Sequence, residues 1–257
     1  MRITVSEDSL KEIKKWFGQY IHTFKKGDPE MQENIILKED HTMRVCNEIL
    51  KIGKELGLND DELRLAEIIA LLHDVGRFRQ YARYRTFQDA RSGNHAELGI
   101  RILEQKGVLK QFDDTTQDLI IKSIRYHNLA SLPEEENETC LFYARLLRDA
   151  DKLDIWRIVT DYYHRKDGKK NTALELELPD TPGISREVYN DLMNKRAVKT
   201  KNIHNLNDFK LLQVGWIFDI NFKPSLDLAK EGRYLEKIRK ALPESTEIDT
   251  LFRSICL

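Results

Sequence analysis

The chain has 257 residues, of which 40% are hydrophobic and 33% are charged. This apolar content can bury the core of one large domain, or of one domain with an appendage, and it excludes a disordered chain. Lys and Arg total 42 against 43 for Asp and Glu, so the chain lacks the basic excess of a general nucleic-acid binder, and we expect no nucleic-acid partner.

The sequence contains no sign of a membrane or export segment. No apolar stretch is long enough to cross a bilayer, and the N-terminal residues lack the apolar block of a secretory signal. Cys46, Cys140 and Cys256 lie far apart and form no CxxC pair, which predicts neither a disulfide framework nor a zinc cluster. We therefore expect a cytoplasmic protein with no membrane partner.

The first predicted elements are two helices. Apolar residues within 39–56 recur at steps of three and four, which predicts a helix that stops before Gly57. Asn59 and the acidic residues that follow it predict the start of a second helix. Because this second helix is apolar on most sides, we expect it to be buried in the centre of the domain and to end near Gly76.

Residues 77–93 show no clean period, which predicts a loop or an irregular helix pair. The cationic and aromatic residues of this segment are Arg77, Arg79, Arg83, Arg85, Arg91, Phe78, Tyr81, Tyr84 and Phe87. One interpretation is a substrate-binding wall, in which the rings stack on a base and the arginines hold phosphates. The other is a helix pair with a solvated cationic face, which we favour for most of these residues, with Arg77 as the exception.

The rest of the chain continues the helical pattern. Asn94 predicts a helix start, with Glu97 in the capping-box position. Further helices are predicted near 116–128, 140–164, 185–195, 207–218, 225–242 and 247–255. Between them, residues 167–183 combine Gly, Pro and alternating Leu, which indicates a short strand, a hairpin arm or a mobile flap. We therefore predict an all-α protein, with a main domain at 1–165 and a flap plus helices at 166–257 that pack on it.

Several polar residues occupy positions where this pattern calls for apolar ones. They are His41, His73, Asp74, His127 and Asp151, joined by His95 at a predicted helix start. A single histidine on an apolar face is usually a core residue whose ring nitrogens are hydrogen-bonded. Six such residues spread over several helices favour another explanation, because buried carboxylates need a partner charge and a divalent cation supplies one. Mixed His and Asp ligation also leaves metal positions for water.

The pattern resembles the HD superfamily of metal-dependent phosphohydrolases. The resemblance rests on His41 in DHTMRV, the pair His73-Asp74 in LLHDVGR, and Asp151 in LLRDADKLD, and it covers roughly residues 35–160. It implies an HD-domain helical bundle with a mainly helical C-terminal extension. It also implies that His41, His73, Asp74 and Asp151 hold a metal.

His95 in NHAELG and His127 in IRYHN resemble the additional histidines of binuclear HD subgroups, in which the Asp of the pair bridges two metals. These subgroups include HD-GYP cyclic-dinucleotide phosphodiesterases and some dinucleotide polyphosphate hydrolases. This chain departs from them in having Asn128 where a second adjacent histidine is common, and it lacks the GYP signature. The resemblance therefore implies one or two divalent ions (Mn, Fe, Co, Ni, Mg or Zn), and it does not assign a cyclic dinucleotide as substrate.

The implied reaction is hydrolysis of a phosphoester or phosphoanhydride in a nucleotide or another small phosphorylated molecule, by a metal-activated water. Asp74 belongs to the catalytic centre, and we expect Arg77 and then Lys152 to bind phosphate oxygens. For Lys152 an ordinary surface charge is an equal alternative. Two other functions share the pattern: an HD-type di-iron oxygenase, and a regulatory module that binds a nucleotide without turnover.

Overall fold

The computed structural model describes residues 3–166 and 169–255, and all regular elements in these ranges are helical, which confirms the predicted all-α class. The chain forms two compact units, Met1–Asp154 and Ile155–Leu257. The boundary between the units lies within one long helix. The division into domains at residue 165, and the packing of the second part on the first, stay predictions.

The first unit is a bundle in which one apolar helix is central. Its helices are α1 (Glu7–His22), α2 (Pro29–Glu55), α3 (Asp60–Leu72), α4 (Val75–Tyr84), α5 (Asp89–Ser92), α6 (His95–Lys106), α7 (Asp114–Tyr126) and α8 (Glu138–Tyr163), the last of which continues into the second unit. Helix α3 packs against α1, α2 and α7. All residues from Ile68 to Leu72 are buried, so the prediction of a buried central helix is confirmed.

The N-terminal part contains more helix than the sequence pattern indicated. Helix α2 begins at Pro29, capped by the Asp28 side chain, ten residues before the apolar stripe that predicted it. Helix α1 was not predicted, although Ser6 caps it and four apolar residues at helical spacing bury its inner face. Its aromatic residues pack edge-on against Phe78 of α4, so α1 covers one side of the bundle.

Gly76 does not end the buried helix as predicted. Helix α3 ends at Leu72, and Gly76 lies in the first turn of α4, where α4 crosses α6. A Cβ atom on Gly76 would overlap the carbonyl oxygen of His95 and would lie 2.7 Å from the amide nitrogen of Gly99. The glycine is therefore required by the close approach of two helix backbones, rather than by a helix end.

Residues 77–93 form the helix pair α4 and α5. Helix α4 ends at Tyr84, and the next residue, Arg85, adopts a left-handed conformation with φ 55°. Phe78 and Tyr81 are fully buried, as the packed interpretation expects. Asn94 caps α6 by accepting from the amides of Ala96 and Glu97.

The predicted capping box at the start of α6 is incomplete. The Glu97 side chain accepts from Arg125 of α7 at 2.8 Å and thereby links α6 to α7. A complete capping box occurs instead at the start of α3, between Asn59 and Glu62.

The second unit continues from the end of α8. Its other helices are α9 (Arg186–Met193), α10 (Leu206–Gly215), α11 (Lys223–Glu231), α12 (Tyr234–Ala241) and α13 (Thr246–Ile255). The helix predicted at 225–242 is two helices, because Gly232 and the left-handed Arg233 (φ 51°) interrupt it. Residues 169–183 form turns without a strand, while Asp167 and Gly168 lie outside the described residues.

Two further expectations concern membranes and cysteines. Within the described ranges, every helix is too short or too polar to cross a lipid bilayer. Cys46 and Cys140 are buried free thiols, and Cys256 lies outside the described residues.

Candidate metal centre

The structure brings all six residues predicted as metal ligands together inside the first unit. They come from α2 (His41), the α3–α4 junction (His73 and Asp74), the start of α6 (His95), the end of α7 (His127) and α8 (Asp151). Five of them are buried, and Asp151 is partly exposed. Three groups of three residues each offer ligand atoms that lie within 4.8 Å of one another.

Asp74 lies between the two halves of this cluster. Its Oδ2 atom is 3.6 Å from Nε2 of His41 and 3.4 Å from Nε2 of His73. Its Oδ1 atom is 3.5 Å from Nε2 of His95 and 4.0 Å from Nε2 of His127. One carboxylate therefore faces two pairs of imidazoles, with one oxygen toward each pair.

Two of the four rings are oriented by helix ends. Nδ1 of His73 lies 2.6 Å from the carbonyl oxygen of Ala70, and Nδ1 of His127 lies 2.6 Å from that of Ile124. Each carbonyl is three residues back, in the last turn of a helix, where backbone acceptors lack amide partners. Because a carbonyl oxygen only accepts, both Nδ1 atoms carry a proton, and in the neutral ring Nε2 has a free lone pair.

The other two rings are oriented by carboxylates that the sequence analysis missed. His41 donates from Nδ1 to Oδ2 of Asp154 at 2.7 Å, and His95 donates from Nδ1 to Oδ2 of Asp89 at 2.7 Å. Asp154 is itself held by Arg44, whose Nε donates at 2.6 Å. Asp154 follows Asp151 by three residues on the same helix, so its spacing was a usable signal. No comparable helical spacing relates Asp89 to a predicted ligand.

All four Nε2 atoms consequently point into one cluster, where the neutral rings present lone pairs, because their protons are on Nδ1. Nε2 of His41 lies 3.1 Å from Oδ1 of Asp151, and Nε2 of His73 lies 3.8 Å from it. These three atoms are buried without a hydrogen-bond partner. Lone pairs that face each other at such distances repel unless a cation or a proton lies between them. The residues present therefore fit a bound divalent metal.

The electrostatics divide the cluster into two parts. Burial disfavours the charged form of His73, but Asp74 and Asp151 outweigh it and raise the pKa of His73 to about 10. Burial, reinforced by His95 and His73, lowers the pKa of His127 to about 3. Burial and Arg77 also lower the pKa of His95.

Positive charge is thus favoured beside the carboxylates, while the His95–His127 side keeps neutral rings with free lone pairs.

The pKa values of the two carboxylates are also set by a balance between burial and neighbouring charges. Burial acts to raise the pKa of Asp74, but Lys38 and His73 outweigh it and hold that pKa well below the ordinary value. Burial likewise opposes ionisation of Asp151, and the nearby imidazoles of His41 and His73 hold its pKa well below the ordinary value. Both groups are therefore anionic near neutral pH.

Arg77 lies at the edge of the cluster within a hydrogen-bond network. Its Nη1 donates to Gln80 at 2.8 Å, to the carbonyl oxygen of Phe87 at 2.6 Å and to Asp89 at 3.0 Å. Its Nε lies 3.6 Å from Oδ1 of Asp74. These contacts make Arg77 a link between Asp74 and the carboxylate that orients His95, and its predicted binding of phosphate stays a prediction.

Lys152, the second predicted phosphate ligand, is 8% exposed on α8 beside Asp151. The alternative of an ordinary surface charge therefore does not describe it. Its role in substrate binding stays a prediction.

Two further residues support the end of α7. Arg148 of α8 is buried, and its Nη1 donates to the carbonyl oxygens of Tyr126, His127 and Leu129. Nδ2 of Asn128 lies 3.2 Å from Oδ1 of Asn94. The residue that replaces the second adjacent histidine thus joins the end of α7 to the cap of α6.

A comparison with family models agrees with this geometry. Residues 39–156 match the model of the HD domain, a segment that contains all six clustered residues. The matched segment is therefore of the HD-domain type, and proteins with this domain are generally metal-dependent hydrolases. Searches of curated proteins and of solved structures found no significant match.

Proposed function

We propose that this protein is a metal-dependent phosphohydrolase that cleaves a phosphoester or phosphoanhydride in a small phosphorylated molecule such as a nucleotide. One observation carries the proposal: the Nε2 atoms of four histidines converge with the carboxylates of Asp74 and Asp151, and those of His41 and His73 have no hydrogen-bond partner there. A divalent metal bound there lowers the pKa of a coordinated water and takes up charge from phosphoryl oxygens.

The residues divide into two ligand sets that share Asp74. His41, His73, Asp74 and Asp151 hold one ion, and Asp74, His95 and His127 hold a second. The division is supported by the two oxygens of Asp74, each of which faces a different pair of imidazoles. Mn, Fe, Co, Ni, Mg and Zn are all compatible with His and Asp ligands, so the donor set alone does not select among them.

The surrounding residues keep these ligands in place. Asp154 and Asp89 accept the Nδ1 protons of His41 and His95 and so keep each Nε2 directed at the centre. Arg77 and Lys152 supply positive charge for the phosphate, since cationic donors at the reacting group stabilise charge that develops there.

The test combines metal analysis with turnover. Purified protein is measured by elemental analysis, and hydrolysis of chromogenic phosphodiester and phosphomonoester substrates is followed with added Mn²⁺. We expect one or two metals per chain and turnover that His73→Ala and Asp74→Ala abolish. His22→Ala, at an exposed position of α1, is the matched control and should retain both.

Three other outcomes would contradict the proposal. Failure to take up metal would mean that the inward-facing histidines are core residues. Nucleotide binding without product would identify a regulatory module. Oxygen consumption by a di-iron centre would identify an oxygenase.

A further inference from the structure

Lys38 is a cation of the metal centre that no motif indicated. It precedes His41 by one turn of α2, and its Nζ forms an ion pair with Oδ2 of Asp74. Its side chain is 16% exposed, so the ammonium group lies at the border between the cluster and solvent. Among the described residues, Asp74 is the one carboxylate within ion-pair distance of Lys38.

An aromatic ring accompanies the two cations that reach Asp74. Nζ of Lys38 and Cζ of Arg77 each lie 5.9 Å from the ring centroid of Phe87. Arg77 is held by three hydrogen bonds to protein acceptors, whereas Lys38 has the single ion pair and the ring. Breaking the contact between Lys38 and Asp74 therefore costs less free energy than breaking the contacts of Arg77.

The oxygen bound by Lys38 is also the oxygen that a metal needs. Oδ2 of Asp74 is the atom that faces Nε2 of His41 and of His73. An ammonium group and a divalent cation at one carboxylate oxygen repel each other strongly in a buried site. A metal held by Asp74 would therefore weaken the ion pair with Lys38 and favour its exchange for another acceptor.

The chemistry of lysine then limits where the ammonium group can go. The group carries three donors on a flexible stem and is strongly hydrated, so it moves readily between acceptors. The Phe87 ring, whose centroid lies 5.9 Å from Nζ, offers the ammonium group a second contact beside the centre. A phosphoryl oxygen of a molecule bound at the metals is an anionic acceptor within the same region.

We propose that Lys38 is a substrate-binding residue that exchanges Asp74 for a phosphoryl oxygen once the metal centre is loaded. The proposal rests on the proposed function and deepens it, because it assigns a recognition element for the phosphate. It also explains why two cations approach Asp74: Arg77 is held in place by three further hydrogen bonds, whereas Lys38 is paired with Asp74.

The first test uses wild-type protein and lysine acetylation quantified by mass spectrometry. With a chelator, Lys38 is paired with Asp74, and we expect it to react slowly. Added Mn²⁺ should increase its acetylation rate several-fold, since the ion pair is released, and inorganic phosphate should reduce the rate again. Lys51, an exposed lysine of the same helix, should not respond to either addition. An unchanged rate for Lys38 would overturn the proposal.

The second test measures binding by calorimetry with Lys38→Met, which removes the charge and keeps most of the stem. We expect Mn²⁺ to bind at least as tightly as to the wild type, and phosphate to bind the Mn²⁺-loaded variant about tenfold more weakly. Lys38→Arg should restore most of the phosphate affinity, and Lys51→Met should match the wild type. Unchanged phosphate affinity in Lys38→Met, or loss of its Mn²⁺ binding, would refute the exchange.

The two proposals fail in different ways. Wild-type protein that takes up no Mn²⁺ refutes the metal-dependent function, and the Lys38 exchange with it. Wild-type protein that binds Mn²⁺ and phosphate, with Lys38→Met behaving identically, refutes the Lys38 exchange alone.

Discussion

Nε2 of His95 lies 3.0 Å from Nε2 of His127, although the Nδ1 atom of each ring faces an acceptor elsewhere. Two neutral imidazoles in this arrangement point lone pairs at each other. The lowered pKa values of both rings, which burial causes first, make protonation an unfavourable solution near neutral pH. A metal ion held by His95, His127 and Asp74 would remove this repulsion.

This relationship predicts the effect of removing one ring. We expect His127→Ala to reduce the metal content by one ion per chain, because His41, His73 and Asp151 are left in place. Elemental analysis after dialysis measures the ratio, with His22→Ala as the control. An unchanged ratio in His127→Ala would show that His95 and His127 are core residues rather than ligands.

The hydrogen bond between Asp154 and His41 predicts a second effect. In Asp154→Asn the acceptor loses its charge, which weakens His41 as a ligand and leaves Arg44 without its anionic partner. We expect metal affinity to fall about 10- to 100-fold, the usual effect of losing such a supporting group.

A competition titration of Mn²⁺ against a chelator measures this change. Asp161→Asn, which alters an exposed residue of the same helix, provides the comparison. Equal affinities in the two variants would mean that Asp154 does not tune the centre.

Some parts of this centre could be predicted from sequence because their signals are local. His41 and His127 interrupt apolar stripes, and a carboxylate on such a stripe is unusual enough to be noticed. The helix pattern also indicated Asp74 and Asp151, and the family resemblance added the role of Asp74 as a ligand shared by two ions. The all-α class followed from helical periodicity, which does not depend on tertiary contacts.

Other parts depend on contacts that no local pattern encodes. Asp89 reaches His95 because α5 folds back beside the start of α6, and Lys38 meets Asp74 because α2 packs on α4. Helix α1 has an apolar stripe of its own, so the sequence contains a signal that would have predicted this helix. The prediction that Gly76 ends a helix was wrong, because the close approach of α4 and α6 cannot be read from the sequence.

The contact at Gly76 predicts a large loss of stability. Gly76→Ala places a methyl group against the backbone of His95 and Gly99, and neither backbone can move without shifting α6. We expect destabilisation of about 1–3 kcal/mol or more, as for other overpacked positions.

Urea unfolding of the metal-free protein measures this effect. Gly18→Ala is the matched control, because a Cβ there meets nothing within 4 Å and the residue lies inside α1. It should stabilise the helix by about 0.5–1 kcal/mol. Similar stability of both variants would show that α4 and α6 can separate without cost.

The raised pKa of His73 predicts how stability depends on pH when metal is removed. The value is about 10 in the folded protein against 6.5 in the unfolded chain, so the folded state binds the proton more tightly. The resulting stabilisation is fully present below pH 6.5 and is lost as the pH rises toward about 10. With a chelator, the unfolding temperature should therefore fall between pH 7 and pH 9 more steeply in the wild type than in His73→Gln. Bound Mn²⁺ should reduce the wild-type slope, because the metal replaces the proton opposite Asp74 and Asp151. Equal slopes for wild type and His73→Gln in chelator would show that His73 carries no such proton.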